Sequence, residues 1–216
     1  MTPVDAAWLN DEANKSQLQK HIHLYYGVNS KGRPMYTGQY FERFISLSDK
    51  NHFTPFDVLA AESLSVVIPS EAAYRLVHDR VAEWLLHEAR DDLASVASLV
   101  DCDESKLAEG KPLSNLYRHL RKYHDLGRVK ASKLLAAKFP HIVPIRDSLV
   151  EQLLGWKNQK EWWLPMRQLA QSVWATIEKL ELPCGAPVVK SLRKLDVVLW
   201  MEAKARDIKS GAEGAA

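Results

Sequence analysis

The amino-acid sequence predicts an all-α fold of two helical lobes, and three observations point to it. Apolar residues recur at spacings of three and four, most regularly through Trp163, Met166, Leu169, Ala170, Val173, Trp174, Ile177 and Leu180, the repeat that buries one helix face. No alternating run marks a strand, and there is no internal repeat. With 216 residues, 46% hydrophobic and 26% charged, the chain can bury a proper core and falls between one long domain and two small lobes, so two lobes sharing a contact surface are expected.

Taken in order, residues 1–34 read as a peripheral segment with one helical pattern through Leu18, Ile22 and Tyr25, broken at Gly27 and the turn-rich run from Asn29 to Pro34. Residues 35–110 read as a helical lobe. A short helix carries Phe41, Phe44 and Ile45, and then a hydroxyl cap at Thr54 with proline at the next position starts a helix over 55–66. Pro69 and Ser70 end it and begin another, in which Ala73, Val77, Val81, Trp84 and Leu85 share the buried face. In segment 111–155 the pattern runs through Leu113, Leu116, Tyr117, Leu120 and Tyr123, stops near His124 to Gly127, and resumes with Ala131, Leu134 and Leu135. Two helices therefore meet at a tight turn. Pro140 and Pro144 force an extended connection that delivers the chain to Asp147. Residues 156–209 supply C-terminal helices that pack on this segment, Trp174 and Trp200 belonging to their core, and 210–216 read as a disordered tail.

The net charge of +2 conceals a polar distribution. Between Glu83 and Glu109 there are eight acids against two bases, whereas from Lys111 to Arg146 there are nine bases against Asp125 alone. A basic block of that kind suits a polyanion, or else is a solvated helix face. No apolar run approaches the roughly 20 residues that span a bilayer, and the N-terminus is polar where a secretory signal is apolar, so a cytoplasmic protein with no membrane partner is expected. Cys102 and Cys184 lack any paired spacing and are expected to be reduced thiols, and the chain is expected to be a monomer.

The chemistry is concentrated between Leu113 and Gly155. Glycine at 127 allows a tight turn closed to other residues, and a turn that opens a helix presents amides with no carbonyl partner in the helix. The helix dipole favours an anion there, and Arg121, Lys122, Arg128, Lys130 and Lys133 surround it with positive charge. Such a grip holds the nucleic-acid backbone and is indifferent to base sequence.

The stretch LGRVKASKLL followed by PIRDSLVEQLLG resembles the helix-hairpin-helix signature of the DNA base-excision glycosylases, in the 8-oxoguanine-glycosylase-like branch without an iron-sulfur cluster. The likeness covers about forty residues, Leu113 to Gly155. It implies double-stranded DNA as partner, a hairpin contacting DNA through Gly127, Arg128, Val129, Lys130, Lys133, Lys122 and His124, and a groove between the lobes with Asp147 at its floor. Asp147-Ser148-Leu149-Val150 matches the superfamily's D-[ST]-x-V pattern, in which the aspartate is catalytic. Members with a lysine nucleophile carry it eighteen positions before that aspartate, where this chain has Val129, so a monofunctional glycosylase without lyase action is implied. The neighbouring Lys130 is turned by about 100° around the helix. The first hairpin glycine of the pattern is replaced by Asp125. Over its whole length the chain also resembles a bacterial family of uncharacterised proteins, through FTPFDVLAAESLSVVIP and LDVVLWM.

Cleaving an N-glycosidic bond builds positive charge on the sugar, which one carboxylate can stabilise while orienting the attacking water. Asp147 is the candidate for both tasks. A flipped base needs an aromatic pocket, for which Trp156, Trp162 and Tyr40 are put forward, with Tyr36, Phe41 and Trp163 as further candidates. No cofactor is expected. No metal is expected either: no two histidines have a zinc-site spacing, His87-Glu88 lacks a second histidine, and Asp101-Cys102-Asp103 lacks the glycine and glutamate of a calcium loop. His119, His124 and His141 lie in the basic block, where phosphate contact suits them better than metal ligation.

Other readings stay open at this point. An aspartate opening a helix after a proline-rich connection is also what a plain N-cap looks like, and the two roles are compatible. The alternative function is a non-catalytic DNA-binding module that kept the helix-hairpin-helix fold. A helical protein whose acidic and basic blocks pair within or between chains is a third.

Overall fold

The computed structural model describes residues 3–156 and 161–213, and among them the chain is all-helical, with no β-structure beyond an isolated antiparallel bridge between Val28 and Pro34. In chain order the helices are α1 (Ala6–Asn10), α2 (Glu12–Tyr26), α3 (Tyr40–Ile45), α4 (Pro55–Ser63), α5 (Ser70–His78), α6 (Arg80–Leu93), α7 (Glu104–Leu107), α8 (Pro112–Leu120), α9 (Arg128–Lys138), α10 (Ser148–Leu153), α11 (Trp163–Glu178) and α12 (Ser191–Glu213). Single 3-10 turns precede α3 and α7. They fall into two compact units, Met1–Tyr36 with Arg146–Ala216, and Thr37–Ile145.

The first unit joins the two ends of the chain. Leu18 and Ile22 of α2 are completely buried, as are Leu195, Val197, Val198 and Leu199 of α12, the helix against which α2, α10 and α11 all pack. Helix α2, expected at the periphery, therefore contributes Leu18, Ile22, Tyr25 and Tyr26 to the core. Polar ties agree: Val4 donates its amide to Leu153, and the buried Glu202 of α12 accepts from His21 at 2.8 Å and from Arg206 at 2.6 Å. Burial raises the Glu202 carboxyl, but the hydrogen bonds from His21, Arg206 and Gln17 outweigh it and bring it down to about 2. Trp162 and Trp163 are buried here while Trp174 and Trp200 are only half-buried, the reverse of the expected assignment. Helix α12 continues past Ser210 to Glu213, so 210–213 are helical and not the disordered tail expected there; 214–216, like 157–160 within the expected C-terminal helices, lie outside the described residues.

The second unit is built on pairings of α3 with α4, α4 with α9, and α6 with α8. Helix α4 starts as the sequence predicts, with Thr54 donating its amide and hydroxyl to Asp57 at 2.6 and 3.0 Å and Pro55 at the first turn. It stops at Ser63 and not near residue 66, because Ser65 adopts a left-handed backbone, φ 63°. The long helix expected after Pro69 breaks at Asp79, whose carboxylate leaves α5 behind and caps the amides of Val81 and Ala82 at the head of α6. Across that break the buried face differs in part from the expected one: Leu85 is buried as predicted, Leu76, Ala82, Leu86 and Ala89 are buried with it, and Val81 and Trp84 are more than half exposed. Spacing alone fits either register, and the cap decides between them.

Candidate nucleic-acid interface

Helices α8 and α9 are joined by the short turn expected between them. Tyr123 and Leu126 are buried beneath the turn, and the Tyr117 hydroxyl donates to the Arg128 carbonyl at 3.2 Å, joining the two helices. Asp79 fixes the C-terminal end of α8, accepting from the Tyr123 hydroxyl at 2.6 Å and from His119 at 2.9 Å. Burial raises this carboxyl, but those two bonds and the Ala82 and Val81 amides hold it far below the ordinary carboxylate range. Burial, with the hydrogen bond to Asp79 behind it, pushes the Tyr123 phenol well up, so it donates and stays neutral. His119 thus serves the fold, contrary to the phosphate contact suggested for it.

The turn differs from the prediction in which residue bends the chain. Asp125 adopts the left-handed backbone, φ 58°, at the position where the resembling hairpins carry their first glycine. Aspartate tolerates this region better than most side chains. Gly127 has φ −67° and ψ −176°, an extended conformation open to any residue, and caps the N-terminus of α9. What Gly127 provides is space, since a Cβ placed there would meet nothing within 4 Å.

Around it lies an open depression of about 540 Å³, lined by Arg121, Asp125, Gly127, Arg128, Val129 and Lys130 together with Tyr123 and Leu126. Lys122 and His124 are exposed beside it. Three of the nine bases counted in this block do not belong to its surface. Lys133 is buried and donates to the Leu64 carbonyl at 2.8 Å, satisfying the C-terminal end of α4, so it is not available for the phosphate contact expected of it. Lys138 is buried against Asp57 at 2.7 Å. Arg146 is 1% exposed and pairs with Glu151. Helix α9 is buried from Ala131 to Lys138, so its basic face is confined to the first turn.

Asp147 lies in the other unit, capping α10 by accepting from the Leu149 amide at 3.0 Å. The plain N-cap role is therefore present, at a half-buried position. Close by in sequence, the Arg146 guanidinium sits 5.5 Å over the Trp162 ring, and Trp162 meets Trp156 edge to face at 5.9 Å. Of the rings put forward for a base pocket, Trp162 is committed to this packing and only 4% exposed, Trp156 is half-buried, and Tyr40 belongs to the second unit, where it is 39% exposed beside Phe44. Tyr36 stacks on Tyr25 at 5.5 Å and meets Trp200 edge to face. Phe41 and Trp163 are buried.

No helix among the described residues is long and apolar enough to cross a membrane. No curated protein and no solved structure matches the chain. A family model does match, over residues 18–203, a span that contains the hairpin, Asp147 and most of both units; its description is a family of unknown function (DUF6308), and the chain belongs to that family.

Proposed function

We propose that this protein binds the backbone of double-stranded DNA through the α8–α9 hairpin. The observation that carries the reading is the head of α9: Gly127 leaves room beside the first helical amides, and Arg121, Lys122, Arg128 and Lys130 gather within two turns of it while Lys133, Lys138 and Arg146 turn inward. Helix amides, the helix dipole and a cluster of cations are what a phosphodiester needs. Among the described residues that line the depression, Asp125 is the one acid, and it weakens the field there.

The finer proposal is base excision. The hairpin resemblance, the D-[ST]-x-V match at Asp147 and the spacing that puts Val129 where a lysine nucleophile would stand support a monofunctional glycosylase. Asp147 would stabilise the sugar cation and orient water while still capping α10. The test is to incubate the full chain with duplexes carrying oxidised, alkylated or deaminated bases, beside an Asp147→Asn variant. Release of one lesion by the wild type, and its loss by at least about a hundredfold in the variant, is expected. No release from any duplex, or equal release by the variant, removes the catalytic assignment and leaves the binding module.

A further inference from the structure

A second cluster in the 37–145 unit is independent of the DNA reading. Glu83 and His87 stand one turn apart on α6, so their side chains share a face. The loop between α3 and α4 brings His52 to the same face, with Nε2 at 3.0 Å from the Glu83 carboxylate. The His52 and His87 rings are 6.1 Å apart and nearly perpendicular, and one ligand atom from each of the three residues lies within 4.8 Å of the others. A tetrahedral zinc ion with bonds of about 2.0–2.1 Å keeps its ligand atoms roughly 3.3 Å apart, so a small inward movement of side chains brings all three into range.

The loop is built to present His52. Asp49 accepts from the amides of Asn51 and His52 at 2.6 and 3.1 Å, and the same oxygen lies 3.2 Å from His52 Nδ1. A carboxylate only accepts, so Asp49 holds a ring proton on Nδ1 and aims Nε2 at Glu83, where an ion would take the place of the proton bridging Nε2 and that carboxylate, the outer-shell arrangement of many metal-bound histidines. Beneath the loop, the buried Lys138 ammonium lies within 2.6–2.8 Å of the Asp49 and His52 carbonyls and the Ser48 hydroxyl, and pairs with Asp57. Spacing along the chain conceals this site because His52 and Glu83 are 31 residues apart.

We propose that His52, Glu83 and His87 bind one divalent cation of the zinc type, with Asp49 orienting His52 and a fourth position left to water or a ligand donor. Two nitrogens and one carboxylate oxygen are donors that suit Zn2+ and its first-row neighbours and not calcium or magnesium.

The experiment titrates the full chain carrying Cys184→Ser with Co2+, followed by visible absorption, and with Zn2+, followed by calorimetry and thermal melting. One ion per chain, the strong visible absorption of tetrahedral Co2+, and a melting midpoint that rises with Zn2+ are expected. His52→Ala and His87→Ala, both at exposed positions, should each weaken binding at least tenfold, Asp49→Asn by about 10–100-fold, and His23→Ala not at all, all with unchanged helical circular dichroism. Absence of saturable binding, weak octahedral absorption, or affinity that survives loss of both histidines overturns the site and leaves only an Asp49–His52–Glu83 ionic chain.

Discussion

Asp125 and Gly127 divide between them the work of the turn between α8 and α9. Asp125 takes the backbone bend at φ 58°, and Gly127 keeps the approach to α9 open without needing any conformation peculiar to glycine. That separation makes Gly127 a clean probe. Gly127→Ala should change stability by no more than about 1 kcal/mol, because alanine fits the native backbone and restricts the unfolded chain but is a poorer N-cap than glycine. Its duplex affinity should nevertheless fall about tenfold, as the methyl group occupies the space a phosphate would take. Urea denaturation and fluorescence anisotropy on one preparation check both halves. An unchanged affinity would remove the α9 amides from the interface.

At the scale of elements, the outcome turned on caps and on buried cations. The apolar repeats located α4, α8, α9, α11 and α12 because each carries a face that must leave water. They could not resolve the α5–α6 break, since only the Asp79 carboxylate distinguishes a cap from a charged residue in mid-helix. Nor could charge counting separate Arg128 at the surface from Lys133 and Lys138, whose ammonium groups fill carbonyl and carboxylate positions left by other elements. Lys138 tests that distinction. It is 4% exposed and Asp57 is fully buried, so Lys138→Met should cost about 3–5 kcal/mol by stranding a buried carboxylate. A double variant with Asp57→Leu should cost less than the two single losses together, a coupling read from denaturation midpoints. Additive losses would mean that the pair acts as two independent contacts.

For the molecule as a whole, the sequence made the helical class legible but not the way the chain is divided. The stretch 111–155 reads as one segment, whereas the boundary between units falls after Ile145, with the hairpin on one side and Asp147 on the other. Helix α2 lacks a strong apolar stripe, so its burial against α12 follows from His21 and Glu202 as much as from Leu18 and Ile22. Glu202 also gives the chain-terminal unit a pH signature. Its carboxyl is held at about 2, against an ordinary value of 4.5, so the stabilisation it supplies is complete above about pH 4.5 and is lost as pH falls toward 2. Thermal midpoints should decline through that window in the wild type and decline less steeply in Glu202→Gln, which starts lower at neutral pH. Parallel curves would show that Glu202 contributes nothing to acid unfolding.

The interface itself is tested most directly by duplex binding across a salt gradient, measured by anisotropy for the wild type and for the double variant Lys122→Ala, Arg128→Ala. With Arg121, Lys122, Arg128 and Lys130 at the head of α9, the logarithm of the binding constant should fall against the logarithm of salt with a slope of about −3 to −4. The double variant should lose about two units of that slope and weaken on every sequence alike. Binding indifferent to salt, or a slope unchanged in the double variant, would contradict a DNA-backbone grip at the hairpin.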